Sequence, residues 1–273
     1  MILKQIAVLN LGEIDAFEYH FEDGMNLLRY RYTDELLQAI QLALGHKKVC
    51  LSDCLIRANT EIRARVRVKE KEYSIIIKNE QEQKKLCIRA YGENGKDLTK
   101  EYLYLTSHSL EQDLTDVFCG NSDKNIFKLL QYLDEDRYYS PKELATRTKQ
   151  LSETKIFRTY LKNFIKDFEP ELIREGKWYE LFLDKNGKYG VRYKGDDDMP
   201  VHLSETEQMI FNYLCFLRTA EFWQNFEELR NIHSIKKPIL VKDFLERLDR
   251  SIDIEEILGR KMRLNRQIVI LTR

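Results

Sequence analysis

Four basic side chains recur at every second position, Arg63, Arg65, Arg67 and Lys69, with Ile62, Ala64, Val66 and Val68 between them. Alternation of that kind puts the cations on one face of a β-strand, spaced to follow a phosphate backbone. A solvated outer face paired with glutamates on neighbouring strands accounts for the same pattern. Arg29 and Arg31 close an apolar run and are candidates for holding an anion, or simply two arginines at a solvated strand end. Ser204-x-x-Glu207 forms a capping box, in which the two side chains satisfy orphan N–H groups of a helix start. Cys50 and Cys54 would need metal-ligating partners from elsewhere, and the five histidines are scattered, so no metal site is expected. Ser107-His108-Ser109 lacks the glycines of a nucleophile elbow and an oriented acid, which removes it as a hydrolase site.

The elements that position these residues follow from periodicity. Ile2, Ile6, Val8 and Leu9 read as a first strand, and Phe17, Tyr19 and Phe21, alternating with Glu18, His20 and Glu22, as a second. Asp23-Gly24 then turns into a short apolar strand, Met25 to Leu28. Leu36, Leu37, Ile40, Ala43 and Leu44 form one face of a helix, with Thr33 as its N-cap and Gly45 as its stop. Antiparallel strands are expected across residues 60 to 91, and a helical pattern from about 109 to 175. Ser140-Pro141 opens one helix there and Pro170 interrupts another. A plain helical lobe suits that stretch better than a helix-turn-helix, whose connecting glycine is missing. Trp178 to Tyr193 reads as a hairpin around Asp184-Lys185-Asn186-Gly187, and a long helix follows from Ser204. Two late apolar runs, Ile239-Leu240-Val241 and Gln267 to Leu271, close the chain as strands.

Composition narrows the class. With 43% hydrophobic and 33% charged residues, 11 Gly and 4 Pro among 273, the chain is a globular protein and not a low-complexity one. Forty-five basic residues balance forty-five acidic ones, so any nucleic-acid surface has to be local. No run is long and apolar enough to span a membrane, no signal-peptide order opens the chain, and five cysteines without a C-x-x-C pair suggest reduced thiols. A cytoplasmic protein with no membrane contact is the expectation.

The order of these pieces resembles the ATPase head of the RecF/RecN/SMC branch of ABC ATPases. Gly24-Met25-Asn26 and Leu36-Leu37-Gln38-Ala39-Ile40 are similar to the two flanks of that family's phosphate-binding loop. Leu203-Ser204-Glu205-Thr206-Glu207-Gln208 looks like an eroded LSGGEQ signature. Pro238 to Asp243 sits where a Walker B strand belongs, Leu248-Asp249 resembles the D-loop, and Gln267 to Arg273 resembles the strand before the H-loop histidine. The resemblance covers both ends of the chain and leaves roughly residues 92 to 200 unaccounted for. It implies an α/β head with a mixed sheet, an antiparallel β subdomain within about 1–110, a helical lobe over about 111–175, a return through 176–273, and no long coiled coil.

The residues that carry the family's chemistry are replaced. Phosphate loops need glycines, whose backbone N–H groups wrap the phosphates, and a lysine that reaches the terminal ones. Between Leu28 and Leu36 this chain has Arg29-Tyr30-Arg31-Tyr32-Thr33-Asp34-Glu35, with neither. Lys242 stands where the metal-organising aspartate belongs, Asp243 at the catalytic glutamate, and Arg273 at the histidine. The resemblance therefore implies a pseudo-ATPase that neither uses ATP–Mg²⁺ as cofactor nor hydrolyses it. Its role would be an interaction or regulatory subunit in a DNA repair, mobile-element or defence assembly, with an active ATPase or a nuclease as protein partner, or a second copy of itself. A direct DNA-binding module using the basic strand face is the alternative, and an enzyme with an unrecognised divergent site a third class.

Overall fold

The computed structural model describes residues 1–46, 55–80, 85–106, 117–119, 179–183, 189–193, 213, 216, 235–244 and 266–273. Two compact units divide the chain. One comprises Met1–Gly120, Trp223–Glu246 and Asp253–Arg273, the other Asn121–Phe222 and Arg247–Ile252.

Alternating residues in the first unit build an antiparallel sheet. Its strands are β1 (Ile2–Leu11), β2 (Ile14–His20), β4 (Ile56–Val68), β5 (Lys71–Glu80) and β6 (Lys85–Tyr91), in the spatial order β2-β1-β4-β5-β6. Leu3, Ile6, Val8, Ile62, Ala64, Val66, Ile75 and Ile77 point to the buried face. Arg63 and Arg65 are exposed on the opposite face, as a period of two requires.

A second sheet in the same unit is wholly parallel. It joins β3 (Met25–Arg29), β7 (Val117–Cys119), β10 (Ile239–Lys242) and β11 (Ile268–Thr272) in the order β3-β11-β10-β7. The expected meeting of residues 24–29, 238–242 and 267–271 is therefore observed, with Leu27 opposite Ile270 and Val241 opposite Ile270 on the other side. Strands β10 and β11 are buried throughout, the continuous apolar pattern of a covered parallel strand.

Helix α1 (Thr33–Ala43) lies between the sheets, touching β1 and β4 of one and β10 and β11 of the other. Leu36, Leu37, Ala39, Ile40 and Ala43 supply its buried face. Its end follows the expectation for Gly45, which has φ +69°. The Gly45 N–H donates to the Leu42 carbonyl at 3.0 Å and His46 N–H to the Gln41 carbonyl at 3.0 Å, the paired bonds of a Schellman stop. A Cβ at Gly45 would stand 2.4 Å from Thr106 Oγ1, on helix α2 (Thr99–Thr106). Gly45→Ala is expected to cost about 2 kcal/mol through left-handed strain and that overlap, read as a lower urea midpoint.

Three expectations change. The N-cap of α1 is Tyr32, with no side-chain cap bond, and Thr33 lies inside the first turn. Thr33 Oγ1 is buried without a hydrogen-bond partner. Asp23-Gly24 bends the chain into β3 as expected, and there it passes from one sheet to the other. Lys69 leaves the basic face, since it sits in the β4–β5 turn with φ +56°. Val117–Cys119, within the stretch that reads as helical, is a strand because β10 offers it a parallel edge. Residues 99–106, in the stretch left unaccounted for, form α2, whose start is set by the Asp97 carboxylate accepting the Thr99 N–H at 2.8 Å. The remainder of the helical lobe lies outside the described residues.

In the second unit, β8 (Tyr179–Leu183) and β9 (Tyr189–Tyr193) pair antiparallel, which is the expected hairpin.

Candidate functional site

The ends of β3, β10 and β11 and the start of α1 converge, and the chemistry-bearing residues gather there. Arg29 ends β3 opposite Thr272, and the next residue, Tyr30, donates its N–H to the Thr272 carbonyl at 2.8 Å. The connection into α1 is filled by aromatic rings. Tyr30 packs tilted against Phe17 with centroids 4.6 Å apart and meets Tyr32 edge-on at 5.9 Å, while the Arg31 guanidinium lies 5.4 Å from the Tyr32 centroid. None of residues 29–33 has positive φ. An anion-binding nest is built by alternating right- and left-handed backbone, so these N–H groups do not form one.

Opposite this loop lies an ion cluster. Lys242, the last residue of β10, places Nζ 2.6 Å from Asp34 Oδ1 and 2.7 Å from Asp243 Oδ2. Arg273 reaches Asp34 Oδ2 at 3.7 Å. The Lys242 and Asp243 side chains are only 8% and 10% exposed, whereas Asp34 is 58% exposed. Burial by itself lowers the Lys242 pKa, but hydrogen bonds to Asp243 and Asp34 outweigh it and hold the ammonium above its ordinary value. Asp243 has φ +55°, a left-handed conformation that aspartate tolerates better than most residues. The cluster joins Lys242, Asp243 and Arg273, all expected site positions, to Asp34, which no motif marks. No local pattern could have linked Asp34 to Lys242, because folding alone brings α1 against β10.

Gly24 and Asn26 have a structural task. Asn26 is buried; its Oδ1 accepts the Glu22 N–H at 2.8 Å and its Nδ2 donates to the Glu22 and Gly24 carbonyls at 3.0 and 3.2 Å. It thereby folds the segment that crosses between sheets. Gly24 has an ordinary φ and open space around its α-carbon, so glycine is not sterically required there. Gln267 completes the junction: Oε1 accepts the Leu3 N–H at 2.8 Å, and Nε2 donates to the Leu3 and Glu22 carbonyls at 2.8 and 2.7 Å. Neither Gln267 nor Asp34 was singled out by motif.

The basic strand face is partly neutralised. Arg63 bonds Glu61 on its own strand rather than a neighbouring one, holding the Glu61 carboxyl below its ordinary range. Arg67 shares Asp23 with Lys4, and these hydrogen bonds lower the Asp23 pKa. Arg65 makes no ion pair among the described residues. Beside Arg63 an open groove of about 360 Å³, lined by Ala7, Leu9, Ala16 and Phe17, also has Glu18 and Glu61 in its lining, which interrupts the positive row. Ser204, Glu207, Gln208 and Asp249 lie outside the described residues.

Comparison of the sequence with protein-family models and with curated proteins returns no match. Solved structures do match. The recombination mediator protein RecF–ATPrS of the RecFOR pathway aligns with 99% of this chain and 92% of its own, at TM-score 0.53 and 16% identity. RecF–ATP of the same pathway aligns at TM-score 0.50 and 17% identity, over 99% of this chain and 93% of its own. The SMC head domain from Thermotoga maritima covers 100% of this chain and 89% of its own, at TM-score 0.51 and 14% identity. Identities this low speak for architecture alone. Together with the two sheets clasping α1, they show that the chain has the ABC-ATPase-head-like fold of RecF and SMC heads.

Proposed function

We propose that this chain is a pseudo-ATPase of the RecF/SMC architecture, acting as an interaction or regulatory subunit in a DNA repair, mobile-element or defence assembly. The observation that carries the reading is the Lys242 ammonium held between Asp34 and Asp243 at the α1 start. A magnesium-bound triphosphate fits these residues badly. A cation already neutralises the carboxylates, the connecting loop is packed with rings in place of glycines, and Asp34 sets negative charge in the first helical turn. What remains useful is surface, so a protein partner is the natural counterpart: an active ATPase, a nuclease, or a second copy of the chain. That the RecF neighbour is a recombination mediator supports a setting in DNA metabolism.

Calorimetry with ATP and Mg²⁺ tests this reading. Binding no tighter than millimolar and no turnover above background are expected; a micromolar Kd, or hydrolysis abolished by Asp243→Asn, would sink it.

Arg65, with no ion pair among the described residues, favours a second reading, direct DNA binding by the outer face of the antiparallel sheet. If that face tracks a phosphate backbone, changing Arg63, Arg65 and Arg67 to Glu abolishes salt-dependent DNA binding. Under the leading reading the same triple variant keeps its protein complex.

A further inference from the structure

We infer that the Lys242 ammonium is the resident cation of this site: it stands where a divalent ion would have to sit and permanently ties the start of α1 to the end of β10. Two carboxylate oxygens from separate elements converge on one point, Asp34 Oδ1 at 2.6 Å and Asp243 Oδ2 at 2.7 Å from Nζ. Calcium takes carboxylate oxygens at about 2.3–2.6 Å, so the carboxylates need to close by only a few tenths of an ångström to hold a metal instead. The lysine and Asp243 side chains are almost fully buried, and the left-handed backbone at Asp243 keeps that carboxylate beside its own neighbour's ammonium. Arg273 adds a second positive group on the far oxygen of Asp34.

A metal or nucleotide at such a junction binds and leaves, and the junction loosens with it. A lysine is part of the chain and does not leave. The α1–β10 contact is therefore set by sequence rather than by ligand supply, and any partner surface resting on these elements stays the same with or without nucleotide. The inference rests on the nucleotide-free reading of the site, but its test uses no nucleotide, so the two fail separately.

Calcium ions are the probe, with thermal unfolding as readout. The wild-type Tm is expected to stay unchanged in millimolar Ca²⁺. Lys242→Ala should start lower and rise by about 2–4 °C in Ca²⁺, as ligation of the ion by the Asp34 and Asp243 oxygens that faced the ammonium predicts. Adding Asp34→Asn should erase the rise. A folded Lys242→Ala without a Ca²⁺ response overturns the inference, as does a wild type that responds equally. Should Lys242→Ala not fold, amine-selective labelling of the wild type decides. Buried and held protonated by its carboxylates, Lys242 is expected to react at least about tenfold more slowly than the exposed turn residue Lys69, and faster once Asp34→Asn removes one partner. Equal labelling of the two lysines overturns it.

Discussion

Lys242→Met is expected to lower the stability of the first unit by about 3–5 kcal/mol, because it removes one partner of a buried ion cluster. The side chain is 8% exposed and its Asp243 partner 10%, so water does not take over the lost interaction. A combined Lys242→Met, Asp243→Asn variant should recover part of the loss, since it also removes the buried charge that faced the ammonium. Amide exchange in β10 and β11 assigns the loss to the first of the two compact units. The pH dependence has a defined sign. The Lys242 pKa is raised from 10.5 in the folded state, so its contribution is complete below that value and is lost as pH rises through the higher one. Stability from this cluster should be flat from pH 7 to 9 and fall in strong alkali.

Gln267→Leu is expected to cost about 3 kcal/mol. Leucine matches the size of the amide but leaves the Leu3 N–H, the Leu3 carbonyl and the Glu22 carbonyl without their partner in the junction. Because Leu3 belongs to β1 and Gln267 leads into β11, the loss falls on the contact between the sheets. Exchange of the Leu3 amide should accelerate well before the amides of the β4–β5 ladder respond. Uniform acceleration across both sheets would refute the assignment of Gln267 as a junction residue.

The antiparallel sheet was legible because it follows a period of two without interruption: Ile62 to Val68 alternates, and the buried face is the one alternation names. The parallel sheet was legible through order, in that Gly24-Met25-Asn26, Pro238 to Asp243 and the closing strand fall in a family sequence. The α1 start was misread because a threonine is the better cap by chemistry, yet Tyr30 is tied to Thr272 and its ring to Phe17. Those contacts make Tyr32 the boundary and draw Thr33 into the first turn. Strand β7 was illegible for a different reason: three residues carry no periodicity, and only the edge of β10 makes them a strand. The ion cluster was half legible. Lys242 and Asp243 stood out as departures from a motif, whereas their partner Asp34 looked like ordinary first-turn acid.

Strand order in the parallel sheet bears on how the chain folds. Strand β11 is the last in sequence but lies between β3 and β10. Strands β1 to β6 can assemble from neighbours close along the chain, apart from the insertion of β3 and α1. The parallel sheet has no such route, since β3 and β10 each pair with β11 and not with each other. Its closure spans most of the chain length, and contacts of such long range form slowly because loop entropy is lost first. During vectorial synthesis β3 therefore waits, its neighbour still unmade, while Leu27 and Leu28 remain without their ladder partner. Refolding should accordingly show early protection in β4 and β5, with β3, β10 and β11 protected together in a later, slower phase.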